Sequence, residues 1–110
     1  MIVKEEFLSR LRKIFDLNLY EVKVWTALLS RGTSTAGELS NISDVPRSRT
    51  YDILESLEKK GFILMKLGKP IKFVAIKPEE VVERVKKNLI TSAKESFSSM
   101  QTVFLLSDNS

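Results

Sequence analysis

Cysteine and histidine are both absent from these 110 residues. Without cysteine there are no disulfides and no thiolate metal sites, and without histidine the commonest metal ligand and the commonest general base are gone. No metal site and no cofactor is expected, and most enzyme chemistries lose their usual groups. No apolar run approaches the ~18 residues of a membrane span. The N-terminus, Met1-Ile2-Val3-Lys4-Glu5-Glu6, carries early acids rather than a basic region before an apolar block, so a soluble cytoplasmic protein is expected. Glycine is scarce and scattered singly at Gly32, Gly37, Gly61 and Gly68, which excludes a glycine-rich phosphate loop. The adjacent carboxylates Glu5 and Glu6, or Glu79 and Glu80, point to different sides of a helix and make no acid–base pair. No serine and lysine stand in an activated arrangement, and Asn41-Ile42-Ser43 is read as a chance glycosylation sequon.

What is present is charge of one sign in one place. The chain has 18 basic and 14 acidic residues, a net charge of +4. Between Asp44 and Lys77 stand eight basic residues against four acidic ones, the whole excess of the chain. A positive field concentrated in this way raises the odds of a polyanionic partner, with a solvated surface as the plain alternative. Hydrophobic content of 43% is that of an ordinary single globular domain.

Apolar periodicity and end signals divide the chain. From Ile2 or Val3 to Phe15, the residues Val3, Phe7, Leu8, Leu11, Ile14 and Phe15 recur at helical spacing. Asn18 and Glu21 form a capping box for a second helix, with Leu17 stapled to Val22. Leu19, Val22, Val24, Trp25, Leu28 and Leu29 give it a wide apolar face, and Arg31-Gly32 ends it. Trp25 is assigned to core packing. Thr35 and Glu38 cap a short third helix, Asn41-Ile42-Ser43-Asp44 is turn-prone, and Pro46 opens a fourth helix as its first residue. Gly61 is placed as the left-handed residue that closes this fourth helix.

Short helix, tight turn and longer helix make a helix-turn-helix pattern. On the longer helix, Thr50, Ile53, Leu54 and Leu57 share a packed face. Ser48, Asp52, Glu55 and Lys59 lie opposite, flanked by Tyr51 and Arg49. A β-hairpin follows: Phe62 to Lys66, a turn at Leu67-Gly68-Lys69-Pro70, then Ile71 to Ile76. Pro78, Glu79 and Glu80 open a last helix, on which Val82, Val85, Leu89, Ala93, Phe97, Met100 and Phe104 form one long stripe. Such a stripe needs another surface, and a second copy of the chain is the simplest supply. The fold class expected is mainly α with a small β-hairpin, one domain over 1–110. It comprises an N-terminal helix (1–15), a helix-turn-helix core (16–77) and a C-terminal dimerisation helix (78–106), with Ser107 to Ser110 frayed.

In a helix-turn-helix the second helix offers its N-terminal residues to base edges in the major groove. Arg49 can pair bidentately with guanine and Asp52 can accept from cytosine. Arg47, Ser48 and Tyr51 are equally suited to hold phosphates. The plain alternative for Arg49 is an ion pair with Asp52. Lys66, Lys69 and Lys72 surround the hairpin tip and are placed to meet phosphate or the minor groove, or else merely to guard a sheet edge.

These strings, Leu17 to Trp25, Thr35-Ala36-Gly37-Glu38-Leu39, Val45 to Gly61 and Gly68-Lys69-Pro70, resemble the DNA-binding domain of the TrmB-like transcriptional regulators, chiefly archaeal. The resemblance covers about Asp16 to Lys87. It implies a winged helix-turn-helix that binds double-stranded DNA as a homodimer, with Pro46 to Lys60 as recognition helix and the hairpin as wing. The expected function is a sequence-specific transcription regulator that is cytoplasmic and nucleoid-associated. Arg47, Ser48, Arg49, Tyr51 and Asp52 would face DNA, and Thr35, Lys66, Lys69 and Lys72 its phosphates. Val82, Val85, Leu89, Ala93, Phe97 and Met100 would form the dimer interface. The family's sugar-sensing members carry a large effector domain that this sequence does not include, so no small-molecule effector is expected. A protein-interaction adaptor and a non-specific architectural DNA-binding protein are the competing readings.

Overall fold

The computed structural model describes residues 5–107, and the proposed helix start at Ile2 or Val3 and the proposed frayed residues 108–110 lie outside that range. Five helices and three short strands follow in the order α1 (Glu5–Phe15), α2 (Leu19–Arg31), β1 (Thr33–Ser34), α3 (Ala36–Ser43), α4 (Arg47–Lys59), β2 (Ile63–Lys66), β3 (Lys72–Ala75) and α5 (Pro78–Ser107). They fall into two compact units, residues 1–77 and 78–110. The expected architecture of a helix-turn-helix followed by a hairpin is present in the first unit.

Local signals set most boundaries. Asn18 Oδ1 accepts from the Glu21 N–H at 2.8 Å while Glu21 Oε1 accepts from the Asn18 N–H at 2.9 Å. Thr35 and Glu38 repeat this reciprocal cap on α3. Such boxes satisfy donors that the first helical turn otherwise leaves without partners. At the far end of α4, the Phe62 N–H donates to the Leu57 carbonyl and the Gly61 N–H to the Glu58 carbonyl, each at 3.0 Å. Gly61 adopts a φ of +84° there, so the ending is a Schellman motif and needs the residue without a Cβ.

Three details differ from the sequence expectation. Pro46 stands one residue before α4, as its N-cap in extended backbone, instead of opening the helix. Its carbonyl accepts from the Arg49 and Thr50 N–H groups and from the Thr50 hydroxyl, and that hydroxyl helps tie the helix start where no side-chain cap exists. Helix α3 runs through the turn-prone Asn41 to Ser43, and the left-handed Asp44 ends it, which leaves a three-residue turn. Thr33 and Ser34, between the end of α2 and the cap of α3, form a strand that the sequence does not mark. They pair antiparallel with Val74 and Phe73 and complete a three-stranded sheet of order β1-β3-β2. A two-residue strand is too short for alternation to announce it.

The core of this unit is formed where α2, α3 and α4 meet the sheet. Val22, Leu28, Leu39, Leu54, Leu57 and Ile63 are fully buried. Trp25 packs edge-on against Phe15 at 5.0 Å between ring centroids and lies 5.1 Å from Phe62, the core role expected of it. Leu19, placed on the packed face by periodicity, is exposed, as are Phe7 and Ile14 of α1. On the hairpin, β3 begins at Lys72, so Ile71 stays in the exposed turn while Phe73 and Ile76 turn inward.

Among the described residues the charged group buried most deeply is Glu21, 1% exposed. Besides capping α2, it accepts from the Ser56 hydroxyl at 2.6 Å and from Lys60 Nζ at 3.0 Å, and Lys60 also donates to the Asp16 carbonyl. Burial opposes the charge of Glu21, but the Asn18 N–H, Ser56 and Lys60 outweigh it and hold the carboxyl below its ordinary value of 4.5. One carboxylate thereby ties the start of α2 to the end of α4.

Helix α5 is a continuous 30-residue helix with Pro78, Glu79 and Glu80 in its first turn. Proline there lacks only a donor that would have no partner, and the two acids complement the positive end of the helix dipole.

Candidate nucleic-acid interface

Packing of Thr50, Ile53, Leu54 and Leu57 fixes which face of α4 is free. Ser48 and Asp52 lie at the centre of the exposed face. Arg47 and Tyr51 occupy its edge toward α3 and the wing, and Arg49 the edge toward α2. Tyr51 is 57% exposed. The Arg47 guanidinium lies over the start of α3, where a Cβ built on Gly37 would sit 3.7 Å from Nη2. Arg47 and Tyr51 line, with Thr35, Ala36 and Gly37 of α3 and Met65, Pro70, Ile71 and Phe73 of the hairpin, an open cleft of about 430 Å³. Two helices and the hairpin thus converge on one concave surface.

Arg49 behaves differently from Arg47. Its guanidinium carbon lies 5.3 Å from the centroid of the Tyr20 ring in the first turn of α2, within cation–π range. The ion pair with Asp52 that competed with a DNA role is not formed among the described residues. Neither Arg47, Arg49, Lys66, Lys69 nor Lys72 makes an ion pair there, whereas the acids further along α4 are partly neutralised, Glu55 by Lys59 at 3.2 Å.

The hairpin brings Lys66 and Lys72 directly opposite each other across the strand pair, with Lys69 in the exposed turn between them. Like charges on facing positions are unfavourable in isolation and become favourable when an anion lies between or above them.

Thr35 is the candidate whose surroundings fit least simply. Its hydroxyl accepts from the Glu38 N–H at 3.2 Å and donates to Glu38 Oε1 at 3.0 Å. The backbone N–H and hydroxyl of Thr35 hold the Glu38 carboxyl below its ordinary value against the opposing effect of burial, with further help from Arg31 and Lys72. Arg31 pairs with the same carboxylate at 2.9 Å. Thr35 is therefore engaged in a cap with an ionised neighbour.

Sequence reasoning missed Tyr20 and the seat of Arg47 against Gly37, since neither contact has a signature in local spacing. On α5, Val82, Leu89, Ala93, Phe97 and Met100 are exposed and Val85 is half-buried. No group of acidic residues suited to a metal ion is found among the described residues, and none of the described helices is long and apolar enough to cross a membrane.

Residues 11–79 match the family model for the sugar-specific transcriptional regulator TrmB. The DNA-binding transcriptional repressor TrmBL2 of Thermococcus kodakarensis is 43% identical over 83 residues, covering 76% of this chain and 31% of that protein. The sugar-sensing regulator TrmBL1 of Pyrococcus furiosus is 33% identical over 103 residues, 94% of this chain and 30% of that protein. A solved structure of TrmBL2, an archaeal chromatin protein with a novel mode of DNA binding, superposes with a TM-score of 0.84 at 37% identity, covering 92% of this chain and 39% of that one. The chain thus spans about a third of the length of the curated relatives it matches. These relatives are regulators of transcription, not enzymes.

Proposed function

The chain belongs to the TrmB family of transcriptional regulators, and on that premise we propose that residues 16–77 bind double-stranded DNA in a sequence-specific manner. In this reading the first two turns of α4 enter the major groove. Arg49 and Asp52 contact base edges, and Arg47, Ser48 and Tyr51 hold base edges or phosphates. Lys66, Lys69 and Lys72 of the wing, with Thr35, contact the backbone. The observation that carries the reading is the set of five basic side chains on the start of α4 and on the wing that make no ion pair among the described residues, two of them facing each other across the hairpin. Glu55 and Glu58, further along α4, limit how deeply the helix can enter, because they would repel phosphates.

The dimer is part of the same proposal. Val82, Val85, Leu89, Ala93, Phe97 and Met100 follow one another at steps of three or four residues, and the pattern continues to Phe104. The mean repeat of about 3.7 residues is closer to an 11-residue than to a 7-residue period, which favours a nearly straight or slightly right-handed pairing of two α5 helices. Two-fold symmetry then calls for a pseudo-palindromic site with half-sites about one helical turn, or a multiple of it, apart. The setting that fits is the cytoplasm, in association with the nucleoid, and the chain's own residues give no ground for a small-molecule effector.

Binding to a duplex selected from a random pool, measured against ionic strength, tests the proposal. Affinity should fall steeply with salt through counterion release, and Arg49→Ala should weaken binding to the selected duplex by about 1–3 kcal/mol. A flat salt response would sink DNA binding altogether. The relative's description as a chromatin protein favours one second reading, non-specific architectural coating. Under it, random and selected duplexes would bind alike and Arg49→Ala would weaken both equally.

A further inference from the structure

We propose that Tyr20 is a positioning residue for Arg49: its ring fixes the plane of the guanidinium so that the unused N–H edge is presented to a base in a set orientation. The inference rests on the reading of Arg49 as a base contact.

Arg49 sits on the third residue of α4, and its guanidinium carbon lies 5.3 Å from the Tyr20 ring centroid. A guanidinium that stacks on a ring is held by the ring quadrupole and keeps the donors in its own plane available. No ion pair draws on those donors among the described residues. Bidentate recognition of guanine needs two parallel donors in one plane, and holding that plane beforehand reduces the conformational freedom lost on binding.

The platform itself is well anchored. Tyr20 is half-buried in the first turn of α2, and the adjacent Glu21 is buried and bonded to Ser56 and Lys60. Consecutive residues of one helical turn therefore grip α4 twice, Glu21 near its C-terminal end and Tyr20 near its N-terminal end. Arg47, on the opposite edge of α4, lies over Gly37 and has no cation–π contact among the described residues. The two arginines thus differ in preparation, and Arg49 is the one seated against an aromatic ring.

A double-mutant cycle on the full chain with the selected duplex tests this. Tyr20→Leu keeps an apolar side chain but removes the π face, and it should weaken binding about two- to fivefold and relax discrimination at a single base pair. Tyr20→Phe, which keeps the ring, should bind as the parent does. Adding Tyr20→Leu to Arg49→Ala should cause no further loss. The proposal is overturned if Tyr20→Leu binds as the parent, if its loss persists in the Arg49→Ala background, or if Tyr20→Phe loses as much, which would mean that the hydroxyl itself contacts DNA. If Arg49→Ala alone binds the selected duplex as the parent does, the base-reading premise fails first and takes the proposal with it.

Discussion

Helices α4 and α5 carry the same kind of signal, apolar residues recurring at three- and four-residue steps, and come to opposite ends. In α4 the stripe of Ile53, Leu54 and Leu57 is covered by α2, α3 and the sheet. In α5, Phe97 is 60% and Met100 64% exposed. Periodicity identifies a face that is more stable when covered, and it is silent about what does the covering. For α4 the free face is the polar one and carries the candidate DNA contacts. On α5 the apolar stripe is exposed along with the polar positions, which is why a second copy of the chain enters the proposal at α5 and not elsewhere.

The sharpest way to break this contrast is to charge the apolar face of α5. Phe97→Asp should convert a dimer to a monomer in sedimentation or light scattering. Binding to a two-half-site duplex should fall by roughly a hundredfold or more, since the second half-site is then no longer delivered at high effective concentration. Thermal unfolding of residues 16–77 should barely change. A parent protein that is already monomeric at working concentration would remove the dimer from the proposal. The matching change in α4, Leu57→Ala, should act the other way round. A fully buried leucine costs about 2–5 kcal/mol on truncation, read by denaturant unfolding, while the mass of the folded fraction stays that of the parent.

The polar side of α4 offers a finer test through Glu21. Glu21→Gln leaves Lys60 without its buried carboxylate, although Lys60 is partly solvated and keeps its bond to the Asp16 carbonyl. A loss of about 1–3 kcal/mol at neutral pH is expected. The pH dependence has a definite sign. Because the folded-state value lies below the ordinary 4.5, the folded protein binds fewer protons than the unfolded chain in this range. The stabilisation is present in full above the unfolded value and disappears as pH falls through the lowered folded one. Unfolding curves of parent and Glu21→Gln should therefore converge on acidification below pH 4.5, and curves that stay parallel would contradict this role. On the wing, Lys66→Ala or Lys72→Ala should each reduce the magnitude of the logarithmic salt slope by about one, with little change in which duplex is preferred.

How much of this was legible beforehand follows from the range of each interaction. Caps such as Asn18 with Glu21 and Thr35 with Glu38, and the Gly61 ending, depend on residues three or four apart, and the sequence displays them directly. The packed face of α4 was legible for the same reason. Strand β1 was not, because its pairing with Val74 and Phe73 spans some forty residues and involves only Thr33 and Ser34. The exposure of Leu19 depends likewise on which elements happen to reach the start of α2. Within the candidate interface, the exposure of Ser48, Arg49, Tyr51 and Asp52 followed from the helix wheel. The contact of Arg49 with Tyr20, and the commitment of Glu21 to Ser56 and Lys60, are tertiary and had no local trace.

Gly37 gives the smallest expected effect and separates local from tertiary reasoning most cleanly. By helix propensity alone, alanine should be better by up to about 1 kcal/mol, less at the second position of a helix than in its interior. The tertiary risk is Arg47, whose guanidinium lies over this glycine. An added Cβ would meet Nη2 at 3.7 Å and Cζ at 3.8 Å, which is ordinary van der Waals contact. Gly37→Ala should therefore stabilise slightly, by about 0.5 kcal/mol, and leave DNA affinity and salt slope unchanged. Gly37→Leu places a branched side chain where the guanidinium lies, so it should move Arg47 and weaken binding. If alanine weakens binding as much as leucine does, close approach to the glycine backbone itself is required, and propensity is the wrong ground on which to judge this position.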